Sequence, residues 1–380
     1  MPSTLGPKPV AIWFASAINQ RTAPNMPTRR ILVALEDTAK TANAKTPNPM
    51  KSLYARLRSI GLSTPYVQKL LLPDWWDDQV ANTPAGFTEA VWTIARHLGV
   101  QPEQLRDPNS VLELPGAQLV QFKLAQGIDA ESVQLACVLG ERVARFVLLG
   151  VEPSEHRSLS AQNIRTAILE SGEPWVGLRN LLDYCWGAGI PVVHLAKLPP
   201  STKKMDGLAI NIDGRPAIVL TSQRNDPSWL LFHLAHELGH IALGHVDGGQ
   251  TVVDGSIERD ADDPLEVAAN DYAIELVTGH AGTHVLPTAR LMKAPRLAAV
   301  AAELGQQHNV DPGHIVLNYA HTMSRGQGNF WPLGNAALKL LPSEDATAMI
   351  RDQMFSNLDW SSLPNDAAEF VTRMVGLEDD

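Results

Sequence analysis

The densest group of potentially reactive side chains lies in the stretch HLAHELGHIALGH, residues 233–245, which holds four of the chain's twelve histidines. His236 and His240 are four residues apart, so on an α-helix they project from the same face. Two such imidazoles can occupy adjacent corners of a tetrahedral zinc site, and Glu237 between them can accept a proton from water bound to the metal. The alternative is a buried helix in which these histidines are hydrogen-bonded core residues. A third ligand distinguishes the two interpretations.

The flanking residues predict the helices that such a site needs. Asp226 is a suitable N-cap before a proline, and Gly244 is a natural end for the helix that carries the histidines. A second helix is predicted from the Asp263 cap to Gly279, with several alanines on its apolar face that allow close packing against the first helix. Both helices should therefore lie side by side.

A third ligand is expected in the first turn of the second helix. Glu266 lies there, and two histidines with one glutamate are a known ligand set of catalytic zinc. Glu266 is also three residues after Asp263, which is the spacing of a capping box, so its carboxylate could instead bind free N–H groups of the helix. Asn270, one turn later on the same side, is predicted to hold a ligand in orientation.

The other two histidines of the stretch each have two interpretations. His233 is one turn before His236 and could hydrogen-bond a substrate or a ligand, although a packed core histidine is favoured. His245 follows the end of the helix, where it could stabilise an oxyanion or interact with the helix C-terminus. Tyr272 is predicted to be a core residue.

The run HLAHELGHIALGH followed by EVAANDYAIELVTG resembles the ImmA/IrrE family of bacterial metallopeptidases, and the resemblance covers about 160 of the 380 residues, from Asn163 to His321. It implies that His236, His240 and Glu266 bind Zn²⁺.

The same resemblance implies that Glu237 is the general base. The family has a second acidic residue two positions after the third ligand, where this chain has Ala268. That difference bears on ligand orientation or substrate choice.

The resemblance further implies a regulatory endopeptidase that cleaves a specific intracellular protein, such as a repressor or an antitoxin, in stress response or mobile-element control. Cys137 and Cys185 are far apart, which excludes a disulfide framework and a cysteine zinc site and favours a reducing cytoplasm. No apolar run approaches the length of a membrane span, so no membrane partner is expected.

A flexible extension, residues 1–30, is predicted to precede a helical domain, residues 31–106. This domain resembles the Cro/repressor class of helix-turn-helix proteins, a type of domain that the ImmA/IrrE family often carries. Arg56, Arg58 and Lys69 are its candidates for contacts with DNA.

Three carboxylates oppose that interpretation, because they fall where this class presents its recognition helix and would repel phosphates: Asp74, Asp77 and Asp78. A helical module for protein docking or dimerisation is the equal alternative. The rival function for the whole chain is accordingly a DNA-binding transcriptional regulator or antitoxin that uses the metal fold as a sensor or docking surface.

The expected fold class is α+β: mostly helical, with a small sheet packed on the zinc helix as in zincins, plus the N-terminal helical domain. The remaining segments are a helical connector, a metallopeptidase core and a C-terminal helical region, at residues 107–160, 161–285 and 286–380.

Within the core, Asp213-Gly214 predicts a hairpin over Leu208–Leu220. Pro216 predicts that the second strand lies at a sheet edge, where it could receive an extended substrate.

Overall fold

A computed structural model describes residues 48–115, 120–121, 130–154, 158–200, 202, 205–247, 251–254, 263–282, 284–288 and 292–377. The predicted extension, residues 1–30, and the first part of the predicted helical domain lie outside these residues. The described residues, from Asn48 onward, belong to one compact unit. None of the described helices is both long and apolar enough to cross a lipid bilayer.

The described chain is mostly helical with a small mixed sheet, as expected for the α+β class. The helices are α1 Pro49–Ser59, α2 Thr64–Tyr66 with a π-helical continuation Val67–Leu71, α3 Pro84–Leu98, α4 Pro102–Arg106, α5 Ala130–Val147, α6 Ala161–Glu170, α7 Leu178–Gly187, α8 Pro227–Ala242, α9 Pro264–Thr278, α10 Ala294–His308, α11 Pro312–Gln327, α12 Trp331–Leu338, α13 Ala346–Asn357 and α14 Asn365–Val375. The strands are β1 Val120–Gln121, β2 Val192–His194, β3 Gly207–Ile212, β4 Arg215–Leu220 and β5 Thr251–Asp254. Short 3₁₀ turns lie at Val80–Asn82, Leu148–Gly150 and Trp360–Ser362.

The strands lie in the order β1-β5-β3-β4-β2. β3 and β4 form the predicted antiparallel hairpin, and its turn residues Asp213 and Gly214 have φ values of 53° and 84°, as a tight hairpin turn requires. β2 is parallel to β4, β5 is antiparallel to β3, and β1 is parallel to β5. The short strand β1 lies within the segment predicted to be a helical connector, where the helical pattern did not indicate it.

The prediction of an edge strand from Pro216 is wrong. β4 lies between β3 and β2, with Pro216 opposite Asn211 of β3. Pro216 is tolerated because β2 pairs with β4 only at Ile218–Leu220, so no ladder bond to β2 requires its missing N–H. The other side of β3 is paired with β5. The hairpin therefore does not offer the free edge that substrate addition would need.

Helices cover both faces of the sheet, and the strand residues alternate between two hydrophobic cores. Leu208 and Val219 point into a core shared with α1–α3, α5 and α14, whereas Ala209 and Ile218 point into a core shared with α7–α11. The central strands are therefore buried on both sides, which is why their sequences are almost continuously apolar. The sheet fixes α8, which packs across β3 and β4 on the second face.

The predicted helix boundaries that matter for the site are largely confirmed. The Asp226 carboxylate accepts hydrogen bonds from the backbone N–H groups of Ser228 and Trp229, at 3.0 and 3.3 Å. Asp263 likewise caps α9, which ends at Gly279 in the left-handed conformation. α8 ends at Ala242, so Gly244, with a φ of 74°, lies just beyond its end.

Arg56 stabilises the packing of the N-terminal helices. Its guanidinium donates hydrogen bonds to the carbonyls of Gln104 and Leu105, at 2.5 and 2.9 Å, and to that of Ser110 at 2.8 Å. The first two carbonyls belong to the end of α4, where backbone acceptors have no partner within the helix. Arg56 thus has an internal structural role, whereas Arg58 on the same helix is exposed.

These two arginines provide a matched test of stability. Arg56→Ala removes three hydrogen bonds from a charged donor and should lower the free energy of unfolding by about 2–4 kcal/mol. Arg58→Ala should change it by less than about 0.5 kcal/mol. Urea denaturation of both variants measures the difference, and equal stabilities would show that the carbonyl contacts of Arg56 contribute nothing to the fold.

Candidate metal centre

A close crossing of α8 and α9 brings the predicted ligands together. Gly239 lies at the crossing, where a Cβ atom would be only 3.0 Å from the Tyr272 ring and 3.2 Å from the carbonyl oxygen of Ala269. Tyr272 itself is a core residue whose hydroxyl donates to the Leu159 carbonyl at 2.7 Å. Small residues at this contact let the first turn of α9 reach the histidine face of α8.

His236, His240 and Glu266 form one cluster. The two Nε2 atoms are 3.0 Å apart, and the Glu266 carboxylate oxygens lie 3.2 Å from His236 Nε2 and 3.6 Å from His240 Nε2. A tetrahedral zinc ion with bonds of about 2.0–2.1 Å requires ligand atoms about 3.3 Å apart. The cluster therefore matches three corners of such a site and could hold a metal ion.

Burial sets the protonation states of these groups. His236 and His240 are completely buried and Glu266 is 2% exposed. Burial lowers the pKa of His240 to about 4. For Glu266, burial raises the pKa, but hydrogen bonds with the two histidines lower it further, so its pKa lies well below the ordinary range. A neutral imidazole and a charged carboxylate are the forms that bind a metal.

Two side chains orient the imidazoles. The Asn270 Oδ1 atom lies 3.1 Å from His236 Nδ1, and His245 Nδ1 lies 2.9 Å from His240 Nδ1. Each contact engages Nδ1 and leaves Nε2 towards the cluster, as is usual for histidines that bind metals. The His245 backbone N–H also donates to the His240 carbonyl, so this residue closes the end of α8 as well.

Glu237 is buried on the same helix, against the first residue of β3. A Cβ atom at Gly207 would lie 2.3 Å from Glu237 Oε1 and 2.8 Å from its Cγ. Only glycine leaves room for the carboxylate at this position of the strand. Sequence reasoning did not identify Gly207, because the contact depends on how the sheet packs on α8.

His233 is also buried, at 3% exposure, and its ring stacks on Trp229 with 6.2 Å between centroids. Among the described residues, neither ring nitrogen has a hydrogen-bond partner, although Nε2 is 3.8 Å from Asp206 Oδ1. Burial lowers the pKa of His233 to about 4. The neutral ring is therefore packed in the core beside the cluster without belonging to it.

The candidate DNA contacts are not part of this centre. Arg56 is engaged by backbone carbonyls, and Arg58 and Lys69 are exposed. Lys69 lines a separate cavity together with Asp74 and Arg373. The mixed charges of that cavity do not form a uniformly basic surface of the kind that attracts a phosphate backbone.

Comparisons with protein-family models, curated proteins and solved structures find no match for this chain.

The cluster predicts that metal content depends on its three members. His236→Ala, His240→Ala and Glu266→Ala should each abolish or strongly reduce binding of about one zinc ion per chain, because each removes a ligand. Asn270→Ala should weaken zinc affinity by about 10–100-fold, since the His236 ring loses its orienting contact. Elemental analysis and zinc titration measure both effects.

His280→Ala is the control, because His280 is exposed and lies beyond the end of α9. Zinc content that survived all three ligand substitutions, or that fell equally in His280→Ala, would place the metal elsewhere.

Proposed function

We propose that this protein is a zinc-dependent endopeptidase of the ImmA/IrrE type. The observation that supports it most directly is the buried triangle of His236, His240 and Glu266 with Glu237 on the same helix. Two imidazoles and one carboxylate without sulfur suit zinc in a catalytic role, with one coordination position left for water or substrate. The crossing of a histidine helix with a glutamate helix, packed on a small sheet, also suits a zincin-like core.

A zinc ion at this site would polarise the scissile carbonyl and lower the pKa of a coordinated water molecule. Glu237 then accepts a proton from the attacking water and passes it to the nitrogen of the leaving amine as the C–N bond breaks. Gly207 keeps the Glu237 carboxylate in position by leaving space for it. Asn270 and His245 keep the imidazoles in one orientation through the reaction.

The substrate in this proposal is a specific intracellular protein, repressor-like or antitoxin-like, rather than a broad range of proteins. The completely buried ligand imidazoles support that view, because a deep site excludes polypeptides that cannot present an extended segment to it. Because β3 is paired on both sides, substrate recognition in this proposal depends on the helices around the cluster rather than on strand addition to the hairpin.

Glu237→Gln tests the reaction directly. Zinc-loaded protein is incubated with a proteome-derived peptide mixture, and new peptide termini are counted by mass spectrometry. The variant should keep its zinc but cleave about 10²–10⁴-fold more slowly, because an amide cannot accept the proton. Equal cleavage by both proteins would exclude Glu237 as the base. No cleavage by fully zinc-loaded wild type would favour the regulator or antitoxin alternative.

Gly207→Ala tests the placement of Glu237 without altering a ligand or the base. The new methyl group would collide with Oε1 and Cγ of the Glu237 side chain, which is 1% exposed and would have to shift. We expect kcat to fall at least about tenfold, since a misplaced base loses its alignment, while zinc content stays almost unchanged because no ligand is altered.

Gly177→Ala is the matched control, because a Cβ atom there meets nothing closer than 3.7 Å. Full activity in Gly207→Ala would show that the contact with Glu237 has no catalytic consequence.

A further inference from the structure

A cavity of about 500 Å³ lies between α8, α9, α11 and α12. Much of its wall is aromatic or aliphatic, from Trp229, Phe232, Ile274, Leu317 and Trp331. Trp229 and Trp331 face each other in a tilted arrangement with 5.2 Å between ring centroids. Such a size and lining are typical of sites that bind an organic group rather than a hydrated ion.

The cavity adjoins the metal centre through one residue. Asn270 lines it and also holds the His236 ring, at 3.1 Å from Nδ1. Phe232, another lining residue, lies one helical turn before His236 on α8. A group bound in the cavity is therefore separated from the His236 ring by one side chain, Asn270.

Three polar side chains, linked by hydrogen bonds, interrupt the apolar wall of the cavity. The Asn318 amide donates to His314 Nε2 at 2.9 Å, and Asn318 also hydrogen-bonds His284. His314 is 1% exposed and stacks on Phe232, with 5.8 Å between centroids. All three polar residues line the cavity.

One atom of this hydrogen-bonded group, His314 Nδ1, needs a hydrogen-bond acceptor. Burial lowers the pKa of His314 to about 3, so its ring is neutral. Because Nε2 accepts from Asn318, the single ring proton is on Nδ1. Among the described residues, Nδ1 has no hydrogen-bond partner, which is costly for a buried donor. A ligand whose acceptor atom reached Nδ1 from the cavity would remove that cost.

We propose that this cavity is the subsite for a tyrosine side chain of the peptide substrate. The ring packs against the aromatic wall, and the phenol oxygen accepts a hydrogen bond from His314. Phenylalanine fills the same space without satisfying the donor, and an aliphatic side chain loses the aromatic contacts as well. The role of the cavity as a substrate subsite rests on the proposed peptidase function, whereas the binding test does not require cleavage.

The test measures binding to the full-length Glu237→Gln protein, in which cleavage is not required, with and without zinc. The probes are fluorescein-labelled, capped pentapeptides of alanine with Tyr, Phe, Leu or Ala at the centre, and the readout is fluorescence anisotropy. We expect the Tyr peptide to bind about tenfold more tightly than the Phe peptide and about 100-fold more tightly than the Ala peptide. Equal affinities for the Tyr and Ala peptides would overturn the proposal.

Two substitutions in the cavity and one control, all made in the Glu237→Gln protein, test where the peptides bind. Trp331→Ala removes part of the aromatic wall and should weaken binding of the Tyr and Phe peptides alike by about tenfold. Trp92→Ala is the control: this tryptophan on α3 is 55% exposed, and its loss should weaken binding of neither peptide. His314→Phe keeps an aromatic ring beside Phe232 and should abolish the preference for Tyr over Phe while Phe binding persists. Peptide affinities unchanged in Trp331→Ala, together with a Tyr preference unchanged in His314→Phe, would place the peptide elsewhere.

The outcomes for the two proposals remain separate. Peptide affinity that depends on Trp331 and a Tyr preference that depends on His314, without cleavage by zinc-loaded wild type, would keep the subsite and remove the peptidase. Cleavage of peptides without that preference would keep the peptidase and remove the subsite.

Discussion

The structure depends on how the negative charge of one buried carboxylate, Glu266, is balanced. Glu266 is 2% exposed and retains a strong tendency to ionise, and an isolated charge at such a depth would be very costly. Its carboxylate oxygens lie 3.2 Å from His236 Nε2 and 3.6 Å from His240 Nε2, and burial lowers the pKa of His240 so that this ring is neutral. A metal ion held by these three side chains would complete the arrangement electrostatically, because it would supply a positive charge beside the carboxylate.

The sheet and the helices α8 and α9 hold Glu266 and the two histidines in place. The sheet, covered by helices on both faces, gives α8 a rigid surface to pack on. Gly239 allows α9 to cross closely enough for Glu266 to reach the histidines, and Gly207 leaves space for the neighbouring base. Both glycines serve close approach rather than backbone flexibility, since neither has a positive φ. A single methyl group at either position would alter the site without changing any ligand.

Local sequence signals predicted much of this arrangement. Asp226 and Asp263 were identified as caps because short polar side chains before a proline have one strong local role, and the i, i+4 histidine spacing follows from helix geometry alone. Placement of Glu266 required only one further step, the packing of two predicted helices. The error over Pro216 has a different origin: β4 is an inner strand because β2 pairs with it, and neither sequence carries a local signal of that pairing.

The polar residues of the cavity have a regular spacing in the sequence, but that spacing alone does not predict a site. His314, Asn318 and His321 are spaced four and three residues apart on α11, so they share one face of that helix. The same spacing also describes ordinary polar surface, and only the packing of α11 against α8 shows that this face is buried beside the metal centre. Ser228 on α8 donates to the Asp311 cap of α11 at 2.7 Å, and Gly313 lies so close that any Cβ atom would collide with Ser228. The start of the histidine helix is thereby fixed to the start of α11, which bears the polar wall of the cavity. The candidate metal cluster and the cavity therefore share α8, and the contact between the starts of α8 and α11 fixes the position of the polar wall relative to the histidines.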